Sequence, residues 1–469
     1  MEPSVLSRRA ADSLLGSHSN YLNDAFMKWY FDQYDPETNP GGFLNLGTAE
    51  NRLVSDILSD KLNTITRYDP ETQYYFDKRG FAKFRSTIAS FLDSHLRTTT
   101  PLNPDLLIVT NGASAALDTL GHVLADEGDA FLGVTPCYRR IENNLGERSR
   151  VDMIPVPLTS TNDYSLTPRD LEMAYESAIQ CERVVRGIIL MNPHNPLGTI
   201  LSKESILAIL EFAKRHRLHV IFDEVFALTV FEPDAKFCSI ASLAEVLPDP
   251  ARTHFYWGFS KDMSLSGFRC AIIYSWSKEV IKALTVLTSF HALSAPIQMT
   301  LDALLSDRVW LDQIYFPENL KRLKTAKDEM AIGLRQMGLK VLDSVAGFCL
   351  WVDLKGFFCG DGEGGNGVEG GSGRVGEGGR VGEGGSDRVG EGCSGRVGDG
   401  TGEEFLVNED AFFNRLLAEA RVYIVPGNEL LSKEKGWTRI LFACSAPERR
   451  EFLKRLKKFG EDARTNHSF

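Results

Sequence analysis

The chain has 469 residues, 43% of them hydrophobic and 25% charged, which is the composition of globular domains and enough for two or three structural units. Its net charge of −11 argues against a nucleic-acid binder, whose footprint is a dense basic patch, and no apolar run approaches the roughly 18 residues of a transmembrane helix. Eight cysteines without metal-ligand spacing, behind an N-terminus with no apolar secretory core, read as the reduced thiols of a cytoplasmic protein.

Residues 1–40 read as a tail and 41–75 as the first part of a small domain. Apolar runs that predict strands follow at 106–110, 130–134, 151–156, 184–191, 218–222, 253–259 and 270–274. Helical patterns lie between several of them. The clearest spans 202–217, where Ile206, Leu207, Ile209, Leu210 and Ala213 form one face and Ser202 supplies the cap. Thr167-Pro168-Arg169-Asp170 opens another, with proline at the first helical position. Strands flanked by helices imply a mostly parallel sheet covered on both faces, hence a large α/β domain over 76–308. Beyond Asp307 one long helix runs to about 337, followed by short strands at 339–343, 348–354, 422–425 and 439–444 and a closing helix at 448–459. That predicts a smaller α+β domain from 309–359 and 403–460, with 461–469 a tail. Its two halves are separated by 360–402, where 20 of 43 residues are glycine and the unit GRVGEGG recurs. Such a composition cannot offset the entropy of ordering its backbone, so a disordered insertion is expected.

Four strand ends carry residues with usable chemistry. Asn111-Gly112-Ala113-Ser114 follows a strand and opens a helix, leaving N–H groups and the Ser114 hydroxyl at a positive helix end that suits an anion, although many such turns bind nothing. Asn192 to Thr199 is a rigid turn that aims Asn195 outward from the carboxyl end of the sheet, where open α/β sheets bind ligands; the alternative is a plain turn. His194 reads as a solvated loop histidine. Asp223 ends a buried apolar strand and needs a partner, either a cationic ring nitrogen or a neighbouring side chain. Phe259-Ser260-Lys261-Asp262 sets a lysine among apolar neighbours, where it can become a nucleophilic amine, and Arg269 eight residues later can clamp phosphate.

Taken in order, NGASAAL, TPCY, NPHNPLGT, VIFDEV, FSKDMSLSGFR and GWTRILF resemble the landmarks of class-I pyridoxal-phosphate aminotransferases, which have the fold-type I architecture. Within that superfamily they look most like 1-aminocyclopropane-1-carboxylate (ACC) synthases. Gly47-Thr48-Ala49-Glu50-Asn51 is similar to the GxAEN motif of that branch, and 212–218 and 315–319 look most like the animal ACC-synthase-like proteins. The resemblance implies pyridoxal 5′-phosphate as cofactor and an α-amino acid as substrate. It implies transamination or γ-elimination (lyase) chemistry in a homodimer, with neither nucleic acid nor membrane as partner. By the same resemblance Lys261 carries the cofactor and moves the Cα proton, while Asp223 keeps the pyridine nitrogen protonated. Asn195 donates to the ring O3′ and Tyr138 stacks on the ring. Ala113, Ser114 and Arg269 hold the phosphate, Arg439 grips the substrate carboxylate, and Glu50 lines the substrate entrance.

Three positions depart from the family's pattern. Phe226 stands where a tyrosine donates to O3′, and Gly258 where a serine binds phosphate. Lys78 stands where a tyrosine reaches across from the partner subunit, with Tyr74 or Tyr75 as alternatives for that role. The first two each remove a hydrogen bond to a charged acceptor, on the order of 1.5–3 kcal/mol apiece. The retained Lys261, Asp223 and Arg269 predict that cofactor still binds. Two readings therefore stand: a working amino-acid enzyme, or a cofactor-binding protein that has lost useful catalysis and serves as a regulatory partner.

Overall fold

The computed structural model describes residues 5–11, 20–358 and 409–465; the glycine-rich stretch 360–402 lies outside the described residues. Thirteen strands are described: β1 (Leu44–Asn45), β2 (Leu107–Thr110), β3 (Ala130–Thr135), β4 (Asp152–Pro157), β5 (Val185–Met191), β6 (His219–Asp223), β7 (Thr253–Gly258), β8 (Ala271–Ser275), β9 (Lys340–Val341), β10 (Cys349–Asp353), β11 (Val422–Tyr423), β12 (Val425–Pro426) and β13 (Trp437–Leu441). The seven runs expected before residue 300 are β2 to β8, each boundary within one residue of its expected place. They form one sheet in the order β2-β8-β7-β6-β5-β3-β4, parallel except that β8 runs antiparallel to both β2 and β7. The architecture is α/β, a mostly parallel mixed sheet with helices.

Strand periodicity explains how both faces of the sheet are buried. Side chains alternate between faces, so Ile188, Leu190, Val220 and Phe222 enter one apolar cluster while Ile189, Met191 and Ile221 enter the other. The helix Lys203–Arg215 begins as expected, with the Ser202 hydroxyl accepting from Ser205 N at 3.0 Å. Thr167 and Asp170 form a reciprocal capping box at the start of Pro168–Gln180. Among the described residues no single helix is long and apolar enough to cross a membrane. The apolar neighbours Lys278–His291 and Ala295–Ser306 meet at 116° and bury Leu284, Leu301, Leu304 and Leu305.

The C-terminal part differs from expectation in three places. The run at 422–425 splits, because β11 pairs in parallel with β1 whereas β12 joins the antiparallel sheet β12-β13-β10-β9. The strand expected at 439–444 is β13, which starts earlier, at Trp437. The long helix after Asp307 is interrupted by a π-turn, Leu311–Tyr315, before Phe316–Gln336. Pro317 has no N–H to continue an α-helical ladder, and a wider turn accommodates that loss. The apolar cluster on one face of the large sheet continues without a break into Leu350, Ile440 and Phe442.

Candidate active site

Parallel strands bring the loops after β3, β5, β6 and β7 to one edge, and β2 ends at the same edge. A cavity of about 820 Å³ opens there. Of the residues singled out in the sequence, Ala113, Ser114, Tyr138, Asn195, Asp223, Lys261, Arg269 and Arg439 all line it. Glu50 does not; it stands behind the cavity wall, accepting from the hydroxyl of the lining Ser266 at 2.7 Å.

Lys261 follows β7 in a short helical turn, Phe259–Asp262. Its ammonium donates to Ala49 O, so the Gly47–Asn51 motif closes over the lysine. Burial, reinforced by the Arg439 charge, brings its pKa down to about 8, against the opposing pull of Glu50. The two sequence motifs flanking this loop prove to be partners. Asn51 Nδ2 donates to Asn319 Oδ1 at 2.7 Å and to Ser264 Oγ at 3.0 Å, and the Tyr315 hydroxyl, aimed by the π-turn, donates to Asp262 O at 3.0 Å. The lysine loop is thereby pinned from two directions.

Three carboxyl groups lie buried here. Glu224 accepts from Ser239 Oγ at 2.6 Å and Ile240 N at 2.7 Å, and burial pushes it up to about 8. Asp262 accepts from Trp257 Nε1 at 2.7 Å and Leu228 N at 3.0 Å, and burial holds it well above the carboxylate range. Burial thus favours the neutral form of both. Asp223 differs: burial raises it only to about 6, because the Tyr256 hydroxyl, Val225 N and Lys261 favour its charge. Of the three, only Asp223 lines the cavity, and it is mostly ionised at neutral pH. Tyr256 was not foreseen in the sequence. It lies in an apolar strand, and only the β6–β7 register, Asp223 opposite Tyr256, reveals the pair.

The start of Ala113–Leu124 brings a cation to a helix N-terminus. Gly112 has φ +88°, and a Cβ there would lie 2.4 Å from Arg269 Nη2, so the glycine lets the guanidinium lie against the helix N-terminus. Arg269 Nη1 also donates to Ser266 O at 2.9 Å. Across the cavity, Arg439 on β13 donates to Asn195 Oδ1 at 3.3 Å and to Gly47 O, while its buried Nε has no partner among the described residues. Gly47 must be glycine because the Tyr423 ring occupies the space of a Cβ, at 2.5 Å.

His194 is not solvated, contrary to expectation. Both ring nitrogens are buried without hydrogen-bond partners among the described residues, and burial lowers its pKa to about 4. The turn that carries it docks on the C-terminal part, where Gly198 O accepts from Val345 N at 2.9 Å and Ala346 N at 3.2 Å. Phe226 lines the cavity and packs edge-on against Phe348 at 5.3 Å, offering no hydroxyl. Gly258 is tightly enclosed, since a Cβ would meet Ala271 Cβ at 3.2 Å and Cys270 O at 3.3 Å. Lys78 does not enter the cavity of its own chain; it donates to Ser289 Oγ at 2.9 Å, beside exposed Tyr74 and Tyr75.

A model of the family described as aminotransferase class I and II matches residues 43–456. The chain belongs to that family. It is 40% identical to the human 1-aminocyclopropane-1-carboxylate synthase-like protein 1 over 365 residues, 73% of each chain. It is 34% identical to the mouse probable inactive 1-aminocyclopropane-1-carboxylate synthase-like protein 2, over 75% of this chain and 62% of that protein. The tobacco (Nicotiana tabacum) 1-aminocyclopropane-1-carboxylate synthase is 33% identical over 75% of this chain and 74% of its own. Among solved structures, an archaeal alanine:glyoxylate aminotransferase superposes with a TM-score of 0.74 at 19% identity, covering 98% of each chain. The aspartate aminotransferase of Thermotoga maritima gives 0.70 at 20% identity over 97% of this chain and 99% of that one. The fold is therefore fold-type I, and family membership implies pyridoxal 5′-phosphate as cofactor. The cavity fits that group: a buried Asp223 with no salt bridge among the described residues, a lysine whose pKa is lowered by burial, and an arginine at a helix N-terminus.

Proposed function

We propose that this family member acts on α-amino acids, by transamination or by elimination of a γ-substituent. The observation that carries the reading is the opening of Lys261, Asp223, Arg269 and Arg439 into a single cavity. When bound, pyridoxal phosphate supplies an electron sink that acidifies the Cα–H of a linked amino acid. The protein's part follows from its own groups. Arg269 with the Ala113 and Ser114 end of the helix binds phosphate, Asp223 holds a proton on the pyridine nitrogen, Asn195 donates to O3′, and Tyr138 covers the ring. Arg439 orients the substrate by its α-carboxylate, for which a planar two-pronged donor is suited. Lys261 Nζ takes the Cα proton and returns it, and its lowered pKa leaves the amine free to do so. Glu50, behind Ser266, tunes that lysine electrostatically.

In this reading 76–308 serve as the large domain, and 41–75, 309–359 and 403–460 as the small one that brings Arg439. The working unit is a homodimer. The buried thiols of Cys137, Cys270, Cys349 and Cys444 support a cytoplasmic location. A second reading has a specific observation behind it: Phe226 offers no donor to O3′, and relatives at 34–36% identity carry the words "probable inactive" in their names. Titrating the cofactor-loaded protein with a panel of amino acids, watched through the cofactor's visible spectrum, separates the two. Saturable spectral change and α-keto acid or elimination product are expected. Bound cofactor that no amino acid perturbs would leave only the second reading.

A further inference from the structure

The same cavity has a second set of charged walls, Arg139, Arg140, Glu147 and Glu429. The two arginines already face carboxylates: Arg140 Nη1 lies 3.6 Å from Glu147, and Arg139 Nε lies 3.5 Å from Glu142. Of these carboxylates Glu429 is the most loosely paired, sharing Arg139 with Glu142. It sits on a short turn, Asn428–Leu430, between β12 and β13 and is only 8% exposed. Its Oε2 is buried and accepts no hydrogen bond among the described residues; Arg139 Nη1, at 3.9 Å, is an ion-pair partner beyond hydrogen-bonding distance. Neither adjacent phenol helps. The Tyr21 hydroxyl donates to Ile424 O at 3.1 Å. Tyr423, pushed up to about 12 chiefly by burial, is pulled down by Arg439 and up by Glu429, so it stands within electrostatic reach of both. A buried carboxylate oxygen without a donor is costly, and a ligand cation would relieve that cost with a charge-assisted hydrogen bond.

We propose that Glu429 forms a subsite for the positively charged end of a substrate side chain, so that the preferred α-amino acids are basic. The inference rests on the reading above, in which Arg439 holds the α-carboxylate; Tyr423 then separates the two ends of one bound molecule. The test uses the cofactor-loaded full chain and compares lysine with norleucine, its neutral counterpart, and with glutamate, by calorimetry and by spectral titration. Lysine should bind about tenfold or more tighter than norleucine, the gain expected of one hydrogen bond to a charged group. Glu429→Gln keeps the shape and removes the charge; lysine should fall to the level of norleucine, while norleucine changes by less than about twofold. A lysine preference that survives Glu429→Gln, or wild-type protein that binds lysine no tighter than norleucine, overturns the subsite and leaves the amino-acid reading intact. No response to any of the three overturns both. If Glu429→Gln fails to fold, Glu429→Asp, which withdraws the carboxylate by one methylene, should weaken lysine alone, and an equal effect on norleucine counts against the subsite.

Discussion

Burial and the nearby Arg439 charge leave Lys261 neutral in roughly one molecule in ten at pH 7, against about one in a few thousand for an ordinary lysine. Only the neutral amine attacks an aldehyde, so the rate at which cofactor-free protein takes up pyridoxal phosphate should rise with pH, reach half its maximum near pH 8 and level off about one to two pH units above that. Stopped-flow absorbance checks this, and a rate still climbing steeply at pH 10 would mean the lysine is not desolvated. Borohydride reduction and peptide mapping should then find the pyridoxyl group on Lys261. Phe226→Tyr tests the main departure. A phenol beside O3′ would draw off part of its negative charge, so the pH midpoint of the cofactor's visible transition should fall and cofactor should bind more tightly. Identical titrations of the two proteins would show either that position 226 does not face O3′ or that another donor, such as Tyr74 or Tyr75, already fills the gap. Gly258→Ser is a less clean restoration, because Ala271 and Cys270 O must give by a few tenths of an ångström to admit a side chain.

Elements position these residues through contacts that span long sequence separations. Glu434, in the loop before β13, accepts from Ser160 N at 2.9 Å, Ser160 Oγ at 2.7 Å and the Tyr164 hydroxyl at 2.8 Å. Tyr164 in turn meets Trp437 edge-on at 5.5 Å, two residues before Arg439. Burial works to raise the Glu434 pKa, but these donors overcome it and the net shift is downward. A lowered carboxyl pKa contributes stability that is complete above its unfolded value, near 4.3, and is lost as pH falls through the lower folded value. Glu434→Gln should therefore reduce Tm by about 3 °C at neutral pH and converge with wild type toward pH 3, as followed by calorimetry. At the other end of the scale, Thr167→Ala removes a capping box on an exposed helix. It should cost about 1 kcal/mol and leave cofactor binding untouched.

For the whole molecule, the exposed surface around Lys78 is the informative one. Tyr75 is fully exposed, Tyr74 is 65% exposed, and Val286 and Phe290 are each 73% exposed on the helix that Lys78 reaches through Ser289. Large apolar side chains gathered in this way mark an interface, and a second copy of the chain is the proposed occupant. Light scattering at micromolar concentration should give about twice 52.2 kDa. Replacing Tyr75 and Phe290 together by Ser should shift the mass toward a monomer and weaken cofactor retention; a cofactor-bearing monomer in the wild type would refute the shared site.

Much of this was already written in the sequence. Short continuous apolar runs located seven strands to within a residue, and Ser202 and Thr167 marked their helix starts, because apolar runs and helix caps depend on near neighbours alone. The lining residues from Ala113 to Arg439 were legible because each follows an apolar strand or sits in a recognisable motif. What nearby residues do not encode stayed hidden. Tyr256 reaches Asp223 only through the pairing of β6 with β7. The ring nitrogens of His194 are buried because the turn carrying it docks on a segment some 150 residues later. Glu429 joins the cavity only once the C-terminal strands have packed beside the N-terminal motif. Desolvation and register are set by chain segments far apart in sequence, so they exist only in the folded molecule.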